Sequence, residues 1–101
     1  MAKLIWTEPA LRQLEEIVDY IALDKPSAAQ VVARAIFAIT DNIERFKLLG
    51  RSIPEFPVRN YRQLWIKPCW IYYKIIETDV YILHVRRAES PFRTEFISRE
   101  P

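Results

Sequence analysis

The sequence predicts an α+β fold in the order β-α-α-β-β-β, with a helical hairpin packed on one face of a mainly antiparallel sheet. Three observations predict it. Apolar residues recur every three or four positions over two adjoining N-terminal segments, one short break apart. Beyond Gly50 the period falls to two, through runs of β-branched and aromatic residues. The 101 residues suffice for one modest core, which both kinds of element must share in a single domain spanning 1–101.

Leu4-Ile5-Trp6 is short and apolar and stops at Thr7-Glu8-Pro9, the pattern of a brief strand meeting a helix start. Thr7 suits the N-cap, Glu8 complements the positive helix end, and Pro9 is tolerated in a first turn. Leu11, Leu14, Ile17, Val18 and Ile21 then form one apolar stripe, so the first helix runs to about Leu23. Asp24-Lys25-Pro26 is the break, with Asp24 the expected cap of the next helix. There Val32, Ala35, Ile36, Ile39, Ile43 and Phe46 keep helical spacing up to Phe46 or Leu48, and Gly50 is placed to close the helix. So short a break implies an antiparallel pair.

Arg51 to Asn60 holds Pro54 and Pro57 without periodicity and reads as a loop. Tyr61 to Ile66 is the next strand and Lys67-Pro68 the turn into Cys69. Cys69 to Arg87 then reads as a β-hairpin broken at Glu77-Thr78-Asp79. Alternation sets Ile71, Tyr73 and Ile75 on one face of its first strand, against Trp70, Tyr72, Lys74 and Ile76. In the second strand it sets Tyr81, Leu83 and Val85 against Ile82, His84 and Arg86. With both helices on one face, Trp70, Tyr72 and Ile82 are expected on the open one. Contiguous exposed aromatics mark a partner site, and coverage by the tail that begins at about residue 88 is the alternative. Pro91 to Phe96 is a short helix or a draped segment; the residues leave both open.

Composition removes several functional classes. A chain that is 50% hydrophobic with one glycine is a folded domain, and a single glycine leaves no Gly-rich phosphate loop. Cys69 is the only cysteine, which excludes an intrachain disulfide, and it reads as a small buried hydrophobe. One histidine and one cysteine give no metal-ligand cluster, and no cofactor is expected. The most apolar helical run, Val31 to Ile39, contains Arg34 and is too short for a membrane span, and the N-terminus lacks a signal-peptide core. A cytoplasmic protein is expected. The net charge of +2 is small, but from Arg51 to Lys74 five basic residues face one acidic residue. That segment suits a polyanion or an acidic peptide, or is simply a solvated basic surface.

Chemistry-bearing residues gather at the strand ends: Arg62 early in its strand, and His84, Arg86 and Arg87 at the close of the last. In a cleft such groups hold a phosphodiester and stabilise charge during its cleavage. Outside one, Arg86 and Arg87 are exposed strand-end cations, or pair with Glu89.

Taken together, W-T-E-P-A-L-R-Q-L-E-E-I-V-D-Y-I, P-S-A-A-Q-V-V-A-R-A-I and Y-R-Q-L…W-I-Y-Y-K-I…V-Y-I-L-H-V-R-R resemble the RelE/ParE superfamily of bacterial type II toxin-antitoxin toxins, over nearly the whole chain. The resemblance implies a plasmid stabilisation-type toxin, neutralised by a cognate antitoxin whose C-terminal segment lies along it. Operator DNA would be contacted only through that antitoxin. RelE-like members cleave mRNA on the ribosome with a basic cluster; ParE-like members lack the cluster and poison DNA gyrase. Where the RelE-like pattern has an arginine after the turn into the central strand, this chain has Trp70 or Ile71. Arg62 and Arg86 or Arg87 match basic positions, and His84-Val85-Arg86-Arg87 is similar to the ParE-like H-x-R-R ending. The resemblance therefore implies gyrase inhibition by binding, with Trp70, Tyr72, Ile82, His84, Arg86, Arg87 and Phe92 as contact candidates. The alternative is a ribosome-dependent endoribonuclease using Arg62, His84, Arg86 and Arg87.

Overall fold

The computed structural model describes residues 3–97. Its elements are β1 (Leu4–Trp6), α1 (Glu8–Asp24), α2 (Pro26–Ile43), β2 (Arg51–Ser52), β3 (Tyr61–Ile66), β4 (Cys69–Ile76), β5 (Asp79–Arg87) and a 3₁₀ turn at Thr94–Phe96. The sheet order is β1-β5-β4-β3-β2, with β1 parallel to β5 and the other pairs antiparallel. The predicted α+β architecture holds, with the short edge strand β2 added.

Thr7 caps α1 as its sequence position predicts, its Oγ1 accepting from the Ala10 amide at 3.4 Å. The same hydroxyl donates to the Ile82 carbonyl at 2.7 Å, which fixes the helix start to β5. β1 ends opposite Ile82, so the outer edge of β5 beyond that point has no strand beside it. Gln13, one turn into α1, fills in there, its Oε1 accepting from the Val85 amide at 2.9 Å.

Three local expectations change. Asp24 is the last residue of α1, and Lys25 caps α2 through its backbone, with no side-chain cap bond. The helix α2 stops at Ile43, just after Asp41-Asn42, two poor helix formers. Turns carry the chain on, the Asn42 carbonyl accepting from the Arg45 and Phe46 amides, and Phe46 is left exposed. Gly50 therefore closes no helix. It sits under Tyr73, whose hydroxyl accepts from the Gly50 amide and donates to the Lys47 carbonyl, both at 2.7 Å. A Cβ at Gly50 would lie 2.6 Å from the Gln63 carbonyl oxygen and 2.8 Å from the Tyr73 ring, so only glycine admits this approach.

The largest departure lies in β5. Pairing runs Tyr73↔Ile82 and then Tyr72↔His84, so Leu83 is an extra residue, a β-bulge. One inserted residue shifts the alternation by one place. Val80, Ile82 and Val85 therefore all join the helix-side core, with Leu14, Ile17, Ile36, Ile43, Ile71 and Tyr73. Tyr81 and Leu83 turn to the other face. Ile82, expected on the open face, is fully buried under the helices.

Nor is the other face open. Ile53 and Phe56 from the β2–β3 connection, and Phe92 and Ile97 from the tail, close over Tyr61, Tyr72, Leu83, Trp70 and Tyr81 in a second core. Tyr72 has no exposed surface. Of the two readings the sequence allowed for this face, coverage by the tail is the one found, as a draped segment ending in one 3₁₀ turn.

Candidate functional site

The end of β5, where the predicted residues concentrate, is built around Tyr72. Its hydroxyl accepts from Arg86 Nε at 3.0 Å and from Nη2 at 2.8 Å. The remaining guanidinium nitrogen, Nη1, donates to the carbonyls of Arg87, Ala88 and Ser90. Arg86 thereby ties the sheet to the turn that begins the tail, using the fork geometry only arginine offers. Phe92 completes the arrangement with its ring 5.1 Å from that of Tyr72. Burial raises the Tyr72 phenol above its ordinary value while the Arg86 bond and charge act the other way, so it stays protonated.

Arg87 faces the opposite way. Its guanidinium lies 4.4 Å from the ring centre of Tyr20 on α1 and pairs with Glu89 at 3.5 Å. Neither arginine is the fully exposed strand-end cation expected from sequence; both are half-buried. His84 lies beside the bulge, buried, its ring 6.0 Å from that of Tyr72. Burial, with the Arg86 charge adding to it, lowers its pKa from 6.5 to about 4, so the imidazole is neutral at pH 7. Burial pushes the Cys69 thiol up to about 11, which leaves it inert at neutral pH.

Arg62 is elsewhere. It pairs in register with Tyr73 on the helix side, and its Nη1 donates to the Gly50 carbonyl at 2.7 Å. Arg86 pairs with Trp70, three residues along β4, on the other face. At ~3.3 Å per residue that is about 10 Å along the strand, with the sheet between them. Arg62, His84, Arg86 and Arg87 therefore do not converge on one point. Trp70 is half-buried, and its ring lies 5.1 Å from that of Trp65, tilted by 52°, with Trp65 45% exposed. Sequence reasoning passed over Trp65, although the two-residue Lys67-Pro68 turn sets it directly across from Trp70. Among the described residues no group of His, Cys, Asp or Glu is arranged to hold a metal ion. Among the described residues no helix is long and apolar enough to cross a membrane.

Comparison with known proteins agrees with this architecture. Residues 4–92 match the family described as ParE toxin of the type II toxin-antitoxin system, parDE. Toxin RelE2 of Caulobacter vibrioides is 30% identical over 89 residues, covering 87% of this chain and 97% of that protein. A solved structure described as the chromosomal ParDE TA system from P. aeruginosa superposes with a TM-score of 0.72 at 25% identity, over 88% of this chain and 98% of that one. With the matched span, the sequence identity and the superposition all in agreement, this chain belongs to the ParE toxin family of type II toxin-antitoxin systems, within the RelE/ParE superfamily.

Proposed function

We propose that this toxin acts in the cytoplasm by binding DNA gyrase, without covalent chemistry of its own, and that a cognate antitoxin neutralises it. One observation carries the preference for binding over cleavage. The four groups a ribonuclease would use do not converge as free groups: Arg62 is committed to the Gly50 carbonyl on the helix side, Arg86 to Tyr72 and the tail, Arg87 to Tyr20 and Glu89, and His84, on the other side of Tyr72, is buried and neutral. A scissile phosphate needs several charges or proton donors within hydrogen-bond reach of one point. On this reading Trp70 and Arg87 meet the target where they still reach solvent. Tyr72, Ile82, His84, Arg86 and Phe92 support that end of the sheet from within. Operator DNA is met only through the antitoxin.

The deciding experiment sets purified toxin against gyrase supercoiling and, in parallel, against message on translating ribosomes. Loss of supercoiling with intact message is expected, reversed by the antitoxin. Message cut within ribosomes while gyrase is untouched would overturn the reading in favour of the endoribonuclease.

A further inference from the structure

The basic segment between Arg51 and Lys74 supplies a second feature, away from the end of β5. Beside the outer strands β2 and β3 lies an open cleft with a cavity volume of about 360 Å³. Ser52, Arg59, Asn60 and Arg62 line it with polar groups, and no acidic side chain among the described residues joins them. Leu48, Pro57 and Val58 form an apolar wall, with Leu48 70% exposed and Val58 44%.

Local structure holds the polar groups in place. Ser52 and Arg62 are register partners across β2 and β3, so their side chains leave the same face. The Arg62 guanidinium is half-buried and anchored through Nη1 to the Gly50 carbonyl at 2.7 Å. Its other nitrogens have no partner among the described residues. Arg59 sits in the turn that enters β3, which the Tyr61 amide closes by donating to the Val58 carbonyl at 3.2 Å. Asn60 takes a left-handed φ of 74° there, which asparagine tolerates better than most residues. Its carbonyl accepts from the Ile75 amide at 2.9 Å and so ties the turn to β4.

The charge balance selects the ligand. Among the described residues the ion pairs are Arg12 with Glu8 and Arg87 with Glu89, so neither cleft arginine meets a carboxylate. Two like charges share one lining, one of them partly desolvated, and an anion between them removes the repulsion. Guanidinium forks fit phosphate and carboxylate oxygens alike. Here the donors come from β2, from β3 and from the turn before it, and so from several directions. That spread suits a tetrahedral phosphate better than a flat carboxylate. The apolar wall gives the organic part of a phosphate ester a surface to lie on. We infer that this cleft binds the phosphate of a nucleotide, free or within a nucleic-acid strand, with the rest of the nucleotide against Leu48, Pro57 and Val58. Arg86 and Arg87 take no part in it, so the assignment stands independently of the gyrase reading.

The test titrates the full chain with acetate, inorganic phosphate, adenosine monophosphate and a short single-stranded DNA, following backbone amide shifts by NMR. Saturable shifts should concentrate at Leu48, Ser52 and residues 58–62, and the mononucleotide should bind severalfold tighter than inorganic phosphate. Arg59→Ala should weaken mononucleotide binding roughly tenfold, and Arg59→Lys, which lacks the fork, should recover only part of it. Ser52→Ala should weaken it by a smaller factor. Both positions are exposed, so thermal unfolding of these variants should be unchanged. DNA that binds tighter than the mononucleotide, with the same dependence on Arg59, assigns the phosphate to a nucleic-acid strand. DNA that binds equally or more weakly assigns it to a free nucleotide, and either result supports the inference. Phosphate as tight as the mononucleotide denies the apolar wall a role, and acetate as tight as phosphate denies the choice of anion. Shifts confined to other residues, or an affinity that neither the Arg59 nor the Ser52 variants change, deny the site. Each of these four results, like a failure of every probe to bind, overturns the inference.

Discussion

The two faces of the sheet are sealed by different means. Toward the helices, closure is apolar: Ala10, Leu14, Ile36 and Ile43 meet Ile71, Val80, Ile82 and Val85, nearly all without solvent contact. On the reverse face the covering segments have no regular period and contribute few side chains, mainly Ile53, Phe56, Phe92 and Ile97. Polar clamps hold them in place. Arg86 fastens the tail through Tyr72 and three carbonyls, while from the helix side Tyr73 with Arg62 fastens the Gly50 segment that leads into β2. The helix side is held mainly by buried area, with Thr7 and Gln13 tying α1 to β5, the other by a few directed bonds supplementing a small area. The first should fail only with the whole fold, and the second should loosen by itself.

The comparison is tested most severely on the helix side. Ile36 is fully buried at the centre of that core. Ile36→Ala should cost about 2–5 kcal/mol, the range for emptying a packed aliphatic site, and lower the urea midpoint of one cooperative transition. A second transition, or a loss below ~1 kcal/mol, would show that the helices do not carry the fold.

Next in size is the response to acid, which acts at the bulge. The His84 pKa is about 4 in the folded protein against 6.5 as its ordinary value. Between those values the unfolded chain binds the proton and the folded chain does not, so stability falls as pH falls. The contribution is fully present above pH 6.5 and is lost on descending to about pH 4, at most about 3 kcal/mol. The measurement is a difference between two chains that share every other titrating group. His84→Gln should flatten the stability–pH curve relative to the unmodified chain, and identical slopes would mean that His84 ionises freely in the folded state.

The same contrast explains what could be read in advance. Period-3.6 stripes and the Thr7-Glu8-Pro9 cap made α1, and α2 up to its last turn, legible, because burial against one surface imposes that spacing. Strands β3 and β4 were legible for the matching reason. Leu83 was not: a bulge has no composition signature, and one extra residue moved Ile82 and Val85 onto the same face. The second core was hidden because its cover is a loop and a tail, whose apolar residues follow no period. For the candidate site, sequence located His84, Arg86 and Arg87 at one strand end. Alternation put Arg86 and Arg87 on opposite faces, but could not say what each would meet, the tail for Arg86 and Tyr20 for Arg87.

A smaller effect is expected from releasing the tail. Arg86→Ala removes the donor that serves Tyr72 and the 87–90 turn, leaving part-buried acceptors unpaired, a loss of about 1–3 kcal/mol. Lysine has no planar fork, so Arg86→Lys should recover little of it. The informative measurement is local. Tryptic cleavage after the exposed Arg93 should quicken severalfold, while hydrogen exchange in α1 and α2 stays near that of the unmodified chain. Cleavage at an unchanged rate would mean that Phe92 and Ile97 hold the tail without the clamp.

Arg87 gives the smallest effect and the sharpest contrast with its neighbour. Its contacts are a loose pair with Glu89, which is two-thirds exposed, and the face of Tyr20, which is 60% exposed. Water and salt screen both, and exposed contacts of this kind contribute about 0–1 kcal/mol. Arg87→Ala should therefore leave unfolding by urea within about 1 kcal/mol of the unmodified chain and tryptic cleavage in the tail unaltered. If the proposed role is right, it should still weaken gyrase inhibition, because this cation reaches solvent at the strand end. A variant as stable and as inhibitory as the parent would move the target contact away from Arg87. A variant as loosened as Arg86→Ala would instead show that both arginines fasten the tail, and the division between the two faces would not extend to the end of β5.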